Sequence, residues 1–256
     1  MKHIIKIKPA PTSFVQWLQT QTTKDFIKRQ KSLFDAADDK TKGKYAAELW
    51  SAVADDNTKE IFVKTDLWLQ LCREQGYICA YCGRRLDLNK QRIEHLEVKS
   101  KNIANTLDYD KLAAVCDSTN NEEGTHCDVK RGPDPIFVYP TQKNCENRIF
   151  YDINGYAIGQ DAEATTTITV LGLNANSNLV RDRKKYYQNA KVVIDAYLRK
   201  HSFKKDAKFC FYLNKVAQTL LVNHENTGIA YREYCFVDLQ LYKKQCADLS
   251  SLPRNL

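Results

Sequence analysis

The sequence predicts an α+β protein that is mainly helical, with a small metal-stapled module set into the middle. Three observations predict it. Apolar residues recur at helical spacing in the first 70 or so residues and again towards the C-terminus. Residues 77–132 are instead rich in Cys, Asn and Asp, and hold two separated cysteine groups around a Glu-His pair. A short β-signal comes next, with Asn154-Gly155 between β-formers. This divides the 256-residue chain into a helical region (1–74), a compact module (75–135) and a hairpin with a second helical region (136–256).

Pro11-Thr12-Ser13 can start a helix that carries Phe14, Trp17 and Leu18 on one face. The polar run Asp38 to Lys44 predicts a loop. Leu49, Trp50 and Val53 mark a helix, as do Val63, Leu67 and Leu71, with Gly76 as the stop. Trp17, Trp50 and Trp68 have apolar neighbours and read as core. Gly132-Pro133-Asp134-Pro135 closes the module. Phe150 to Ile158 reads as a hairpin, and the β-branched run Thr165 to Val170 as a further strand. Tyr186, Ala190, Val193 and Tyr197 then mark a helix, and Phe209, Leu213, Val216 and Leu220 another.

Composition narrows the function. No run approaches the roughly 18 apolar residues of a membrane span. The charged start Met-Lys-His-Ile-Ile-Lys lacks the apolar core of a secretory signal, so a cytoplasmic protein is expected. In that compartment cysteine pairs read as metal ligands before disulfides. Cys72, Cys145, Cys210, Cys235 and Cys246 lack pair spacing and read as buried or free thiols. The net charge of +8 suggests a polyanionic partner. Residues 181–208 concentrate it, with ten Lys or Arg against three Asp, on a solvated face or on a surface for phosphate or an acidic partner.

Cys79-x2-Cys82 followed by Gly83 matches a zinc knuckle. Zinc takes four ligands, so a second pair is required, and Cys116 and Cys127 are the best candidates, with His126 as a substitute. Such a zinc is structural, because no position is left open for water. Between the pairs, Glu94-His95, together with Asp128, supplies a different inventory. Phosphodiester hydrolysis needs an activated water, charge neutralisation at phosphate and help for the leaving oxygen. A histidine can deprotonate the water, and carboxylates can hold a hard divalent metal. Asp128 falls at the start of a helix opened by Cys127. Lys99, Lys130 and Arg131 are nearby in sequence as phosphate ligands.

These residues resemble a known family. Cys79-x2-Cys82, Ile93-Glu94-His95, Lys99-Ser100, Leu107-Asp108-Tyr109, Leu112, Cys116 and His126-Cys127-Asp128-x2-Arg131-Gly132 look like the HNH, or ββα-metal, nucleases. With Thr167-Ile168-x2-Leu171-Gly172-Leu173-Asn174, Leu179 and Arg183, the chain is most similar to their PtuB-type branch, over roughly residues 75–185. Members of that branch are paired with a PtuA-type ATPase in Septu and retron antiphage systems. The resemblance implies that His95 is the general base, that Glu94 and Asp128 bind catalytic Mg2+ or Mn2+, and that the four cysteines hold structural Zn2+. It also implies a nucleic-acid substrate, DNA or RNA, and the company of a retron reverse transcriptase with its msDNA; with the 181–208 charge cluster it implies that the C-terminal basic helical part docks the ATPase, which gates the site, and cleavage of RNA such as tRNA is a further option. Two positions depart from the pattern. Val98 stands where a proline is common, and the Asn that orients the base falls near Asp110-Lys111, where Asp110 or Asn105 could replace it. The alternative function is a zinc-stapled module that binds nucleic acid or a partner without catalysis.

Overall fold

The computed structural model describes residues 1–56, 58, 61–118 and 124–200. The second C-terminal stripe (Phe209 to Leu220), Lys204, Lys205 and Lys208 of the basic cluster, and Cys210, Cys235 and Cys246 lie outside them. The chain is about half helical with small antiparallel strand pairs.

Helix α1 (Thr12–Gln19) starts where Pro11 predicts, and Phe14 is buried with Trp17 stacked on it at 6.0 Å. Thr20 then caps α2 (Gln21–Ala36) by accepting from the Thr23 amide. The expected loop at Asp38–Lys44 is instead the first turns of α3 (Asp39–Ser51). The Asp38 carboxylate accepts from the Thr41 amide at 2.8 Å, and that cap turns a polar run into a helix start. Phe34, Ala46, Leu49 and Ile103 form a small core where α2 packs on α3.

A two-residue strand pair, β1 (Asp55–Asp56) with β2 (Ile61–Phe62), leads into α4 (Val63–Glu74). That helix buries Val63, Leu67, Trp68, Leu71 and Cys72. It ends on Gly76 (φ +61°), and the Tyr77 amide bonds back to the Cys72 carbonyl at 2.8 Å. The second strand pair is β3 (Ile93–His95) with β4 (Leu112–Ala114), in register Glu94 to Ala113 and His95 to Leu112. The buried Gln75 side chain locks this pair to the end of α4: its Oε1 accepts from the Ala114 amide and its Nε2 donates to the Ala114 carbonyl, both at 2.8 Å. The short helix α5 (Cys127–Arg131) comes after it.

After α6 (Cys145–Arg148), β5 (Ile149–Tyr151) and β6 (Ala157–Gly159) form the expected hairpin. The predicted strand at Thr165–Val170 is helix α7 (Ala162–Val170). Asp161 caps it through the Ala164 amide at 2.8 Å. The hydroxyls of Thr165, Thr166, Thr167 and Thr169 each donate to a carbonyl four residues back, which absorbs their polarity inside the helix. Helix α8 (Ser177–Lys200) then crosses the hairpin. A Cβ at Gly155 would lie 2.1 Å from the Val180 carbonyl oxygen, so only glycine allows this approach. One core runs through all three regions read from the sequence, from Phe14 and Leu67 through Cys79 and Leu112 to Ile149 and Leu171. Among the described residues no helix is long and apolar enough to cross a membrane.

Candidate active site

Four cysteine sulfurs meet in the interior. Cys79 Sγ is 3.7 Å from Cys127 Sγ, Cys82 Sγ 3.6 Å from Cys116 Sγ, and Cys116 Sγ 3.8 Å from Cys127 Sγ. A tetrahedron with Zn–S bonds of about 2.3 Å has sulfurs about 3.8 Å apart, so these three spacings fit zinc. All six ligand pairs lie within 4.8 Å, and all four residues are buried. The knuckle is preformed by the Cys79 amide donating to the Arg84 carbonyl at 2.7 Å and by Gly83 at φ +74°. Cys127 itself adopts φ +57°, a conformation that side chains rarely hold, and its amide is fixed to the Leu171 carbonyl at 2.7 Å. His126 is beside the sulfurs, with Nδ1 at 3.2 Å from Cys127 Sγ, but the four-sulfur set is complete without it. Burial raises the Cys127 thiol, whereas hydrogen bonds from Cys116, Cys127 and Cys79 hold Cys82 low despite its own burial. Metal binding takes cysteines as thiolates, so a cation in the cluster would displace their protons.

The knuckle aims α5 at the end of β3. The result is an open cleft of about 450 Å³ that includes Glu94, His95, Lys99, Asp128 and Arg131 in its lining. His95 is 6% exposed, and its Nε2 lies 3.0 Å from the Thr106 carbonyl oxygen. A carbonyl can only accept, so Nε2 carries the proton and the lone pair is on Nδ1. The Trp50 ring meets the imidazole edge-on, at 4.6 Å and 85°. Burial, and then the Lys99 ammonium, lower His95 to about 3, which keeps the ring neutral at neutral pH.

Glu94 is buried and accepts from Arg131 Nη1 at 2.6 Å and Tyr81 Oη at 3.2 Å. The Asp128 carboxylate lines the same cleft, near enough for its charge to act on Glu94. Burial, and then the Asp128 charge, raise Glu94 to about 7, against the pull of Arg131. Asp128 is paired through its Oδ2 with Arg92 Nε. Two carboxyls lining one open cleft are a hard-oxygen donor set that suits Mg2+ or Mn2+, with water and phosphate completing the shell.

The phosphate ligands expected from sequence separate. Lys99 lines the cleft, and Glu94 and Asp128 pull its ammonium up against the stronger lowering by burial. Lys130 is exposed on the other side of α5, where its stem packs over Gly172. Arg131 is 2% exposed and its donors are spent on Glu94, Tyr81 and the carbonyls of His95, Leu96 and Asp134. It is a strut for β3 rather than a hand for phosphate. Neither candidate for the missing Asn touches the histidine. Asn105 donates to Glu97 at 2.8 Å, and Asp110 pairs with Lys8 at the surface. Lys111 is paired with Glu97 at 2.7 Å. Sequence reasoning missed Thr106, which acts through its backbone, and Arg92; Trp50, read as core, does pack against the core at partial burial and also lines the cleft. The Arg92 signal was available, as a cation two residues before the Glu-His pair.

No protein-family model matches the chain. A curated protein of Vibrio cholerae serotype O1 biovar El Tor, "Retron Vc95 putative HNH endonuclease", is 26% identical to it over 132 residues, 48% of this chain. The match spans 63% of that protein's own length. This chain is thus similar, over about half its length, to a retron-associated protein assigned to the HNH endonucleases.

Proposed function

We propose that the protein is a metal-dependent HNH endonuclease that hydrolyses phosphodiester bonds of nucleic acid. One observation carries the reading: a neutral histidine, fixed through Nε2 by a carbonyl, stands in one cleft with a carboxylate pair on a four-cysteine frame. In this scheme Nδ1 of His95 takes a proton from water, the water oxygen bonds to phosphorus, and the bond to the leaving 3′-oxygen breaks. Mg2+ or Mn2+ on Glu94 and Asp128 would polarise the phosphate and stabilise the leaving oxygen. Lys99 holds the phosphate, whose negative charge offsets that ammonium and raises the imidazole towards a more effective base. The departure at Lys111 does not argue for a binding module, because Thr106 supplies the orienting contact.

The finer reading concerns its setting. The retron relative and the sequence resemblance support an effector subunit of an antiphage system, restrained by a PtuA-type ATPase and accompanied by a reverse transcriptase and its msDNA. DNA and RNA, including tRNA, are both candidate substrates. The test is cleavage of plasmid DNA and total RNA with Mg2+ or Mn2+, wild type beside His95→Ala, with zinc content measured for both. We expect His95→Ala to retain zinc and to lose at least about 100-fold in rate. A variant that cuts at the wild-type rate overturns the assignment.

A further inference from the structure

We propose that Arg92 is a placeholder cation, which a divalent metal displaces from Asp128 and which then contacts the phosphate of the substrate. The proposal rests on the reading of Glu94 and Asp128 as the metal pair. It starts from the charges in the cleft. The two carboxyls are matched by two guanidiniums of different kinds. Arg131 is buried, tied to Glu94 and to three backbone carbonyls, and cannot leave without stranding them. Arg92 is a third exposed, precedes β3 and lines the cleft. Its Nε is on Asp128 Oδ2, and its Nη1 is only 3.9 Å from Asp117 Oδ1, a loose second contact.

That pairing occupies an oxygen of one of the two carboxylates that a metal needs. A divalent cation arriving between Glu94 and Asp128 takes over the charge that Arg92 was neutralising, and its field repels the guanidinium. Arg92 has an open cleft to swing into and little else to hold it. A planar guanidinium freed beside a metal-bound phosphate is the group best matched to phosphate oxygens. This also answers a shortage: with Arg131 engaged and Lys130 turned away, Lys99 is left as the phosphate ligand foreseen from sequence. The same side chain thus keeps the empty carboxylate pair paired and turns to the substrate when the metal is in place.

The alternative, that Arg92 simply steadies Asp128 as a ligand, predicts the opposite sign, which makes the test sharp. Full-length, zinc-loaded wild type, Arg92→Gln, Arg92→Lys and Glu94→Gln are titrated calorimetrically with Mn2+ alone, with zinc content as the check on folding. A displaced ion pair of modest strength predicts that Arg92→Gln binds Mn2+ about fivefold more tightly than wild type. A His95→Ala background without cleavage is then titrated with a short oligonucleotide in Mn2+, where adding Arg92→Gln should weaken binding about tenfold and Arg92→Lys less. Equal or weaker Mn2+ binding by Arg92→Gln, while Glu94→Gln abolishes it, overturns the placeholder and leaves the metal pair standing. Mn2+ binding untouched by Glu94→Gln overturns the metal pair itself, and the placeholder with it. Unchanged oligonucleotide affinity overturns the phosphate contact.

Discussion

At the scale of single residues, neighbours decide what Glu94 and His95 can do. Adjacent residues of a strand point to opposite faces, yet both reach the cleft because β3 ends at His95. Glu94 lies against Arg131 and is nevertheless raised to about 7, since burial and the nearby Asp128 outweigh one guanidinium. In the metal-free protein the folded state therefore holds this proton more tightly than the unfolded chain does. The stability it contributes is full below about 4.5 and is lost as pH rises through about 7. For a metal held by Glu94, as proposed, the direction would reverse, because the cation would have to displace the proton. We predict that Mn2+ affinity rises about tenfold per pH unit up to about 7 and flattens above it. Calorimetric titration at pH 6 and pH 8 checks this, and a pH-independent affinity would show that Glu94 is not a ligand. The neighbour that fixes His95 could not be read from sequence at all. Thr106 acts through its carbonyl, and any residue type offers one.

The helices show where sequence was legible and why. Helix α4 and the hairpin β5–β6 arise from signals within their own residues, an apolar stripe ending at Gly76 and an Asn-Gly turn. Both misreadings, the loop at the start of α3 and the strand at α7, have one cause. An aspartate sits just ahead and caps the helix, and a local cap outweighs the polar or β-branched character of the residues after it. The cysteine set was legible because a tetrahedral metal site demands four ligands, and Cys79-x2-Cys82 supplies a recognisable pair. The part α3 plays in the site was not, because Trp50 meets His95 across 45 positions of chain. That contact makes α3 a wall of the cleft. Thr106 holds the imidazole at one nitrogen and Trp50 holds its plane, so Nδ1 has one direction to face. Trp50→Ala should then lower kcat about tenfold with KM little changed, while Trp50→Phe keeps an edge contact and most of the rate. A Trp50→Ala enzyme that loses only KM would assign the ring to substrate binding instead.

Across the whole molecule, the four-cysteine site is where the separate regions are joined. The knuckle lies at the end of α4, Cys116 just past β4, and Cys127 at the first turn of α5. The last part of the described chain is attached to the same place. The Cys127 amide is held by the carbonyl after α7, and Arg84, which comes after the knuckle and whose amide reaches Cys82 Sγ at 3.5 Å, pairs with Asp182 of α8 at 2.9 Å. Asp128 directly follows Cys127 of the four-sulfur set, so a metal held there would set its position in the cleft without taking part in chemistry. Apolar burial by Phe14, Leu67 and Trp68 does not depend on that metal. Zinc removal should accordingly be selective. We expect about one Zn2+ per chain, and a strong chelator should abolish Mn2+ binding in the cleft and any cleavage. Far-UV helical signal should mostly persist, with faster hydrogen exchange across α5 and the start of α8. Cys116→Ser should behave like chelation, because three sulfurs leave the tetrahedron open. A zinc-free protein that keeps the Mn2+ affinity of the loaded one would show that α5 is held by the core alone, and that the cysteines contribute nothing to the geometry of the site.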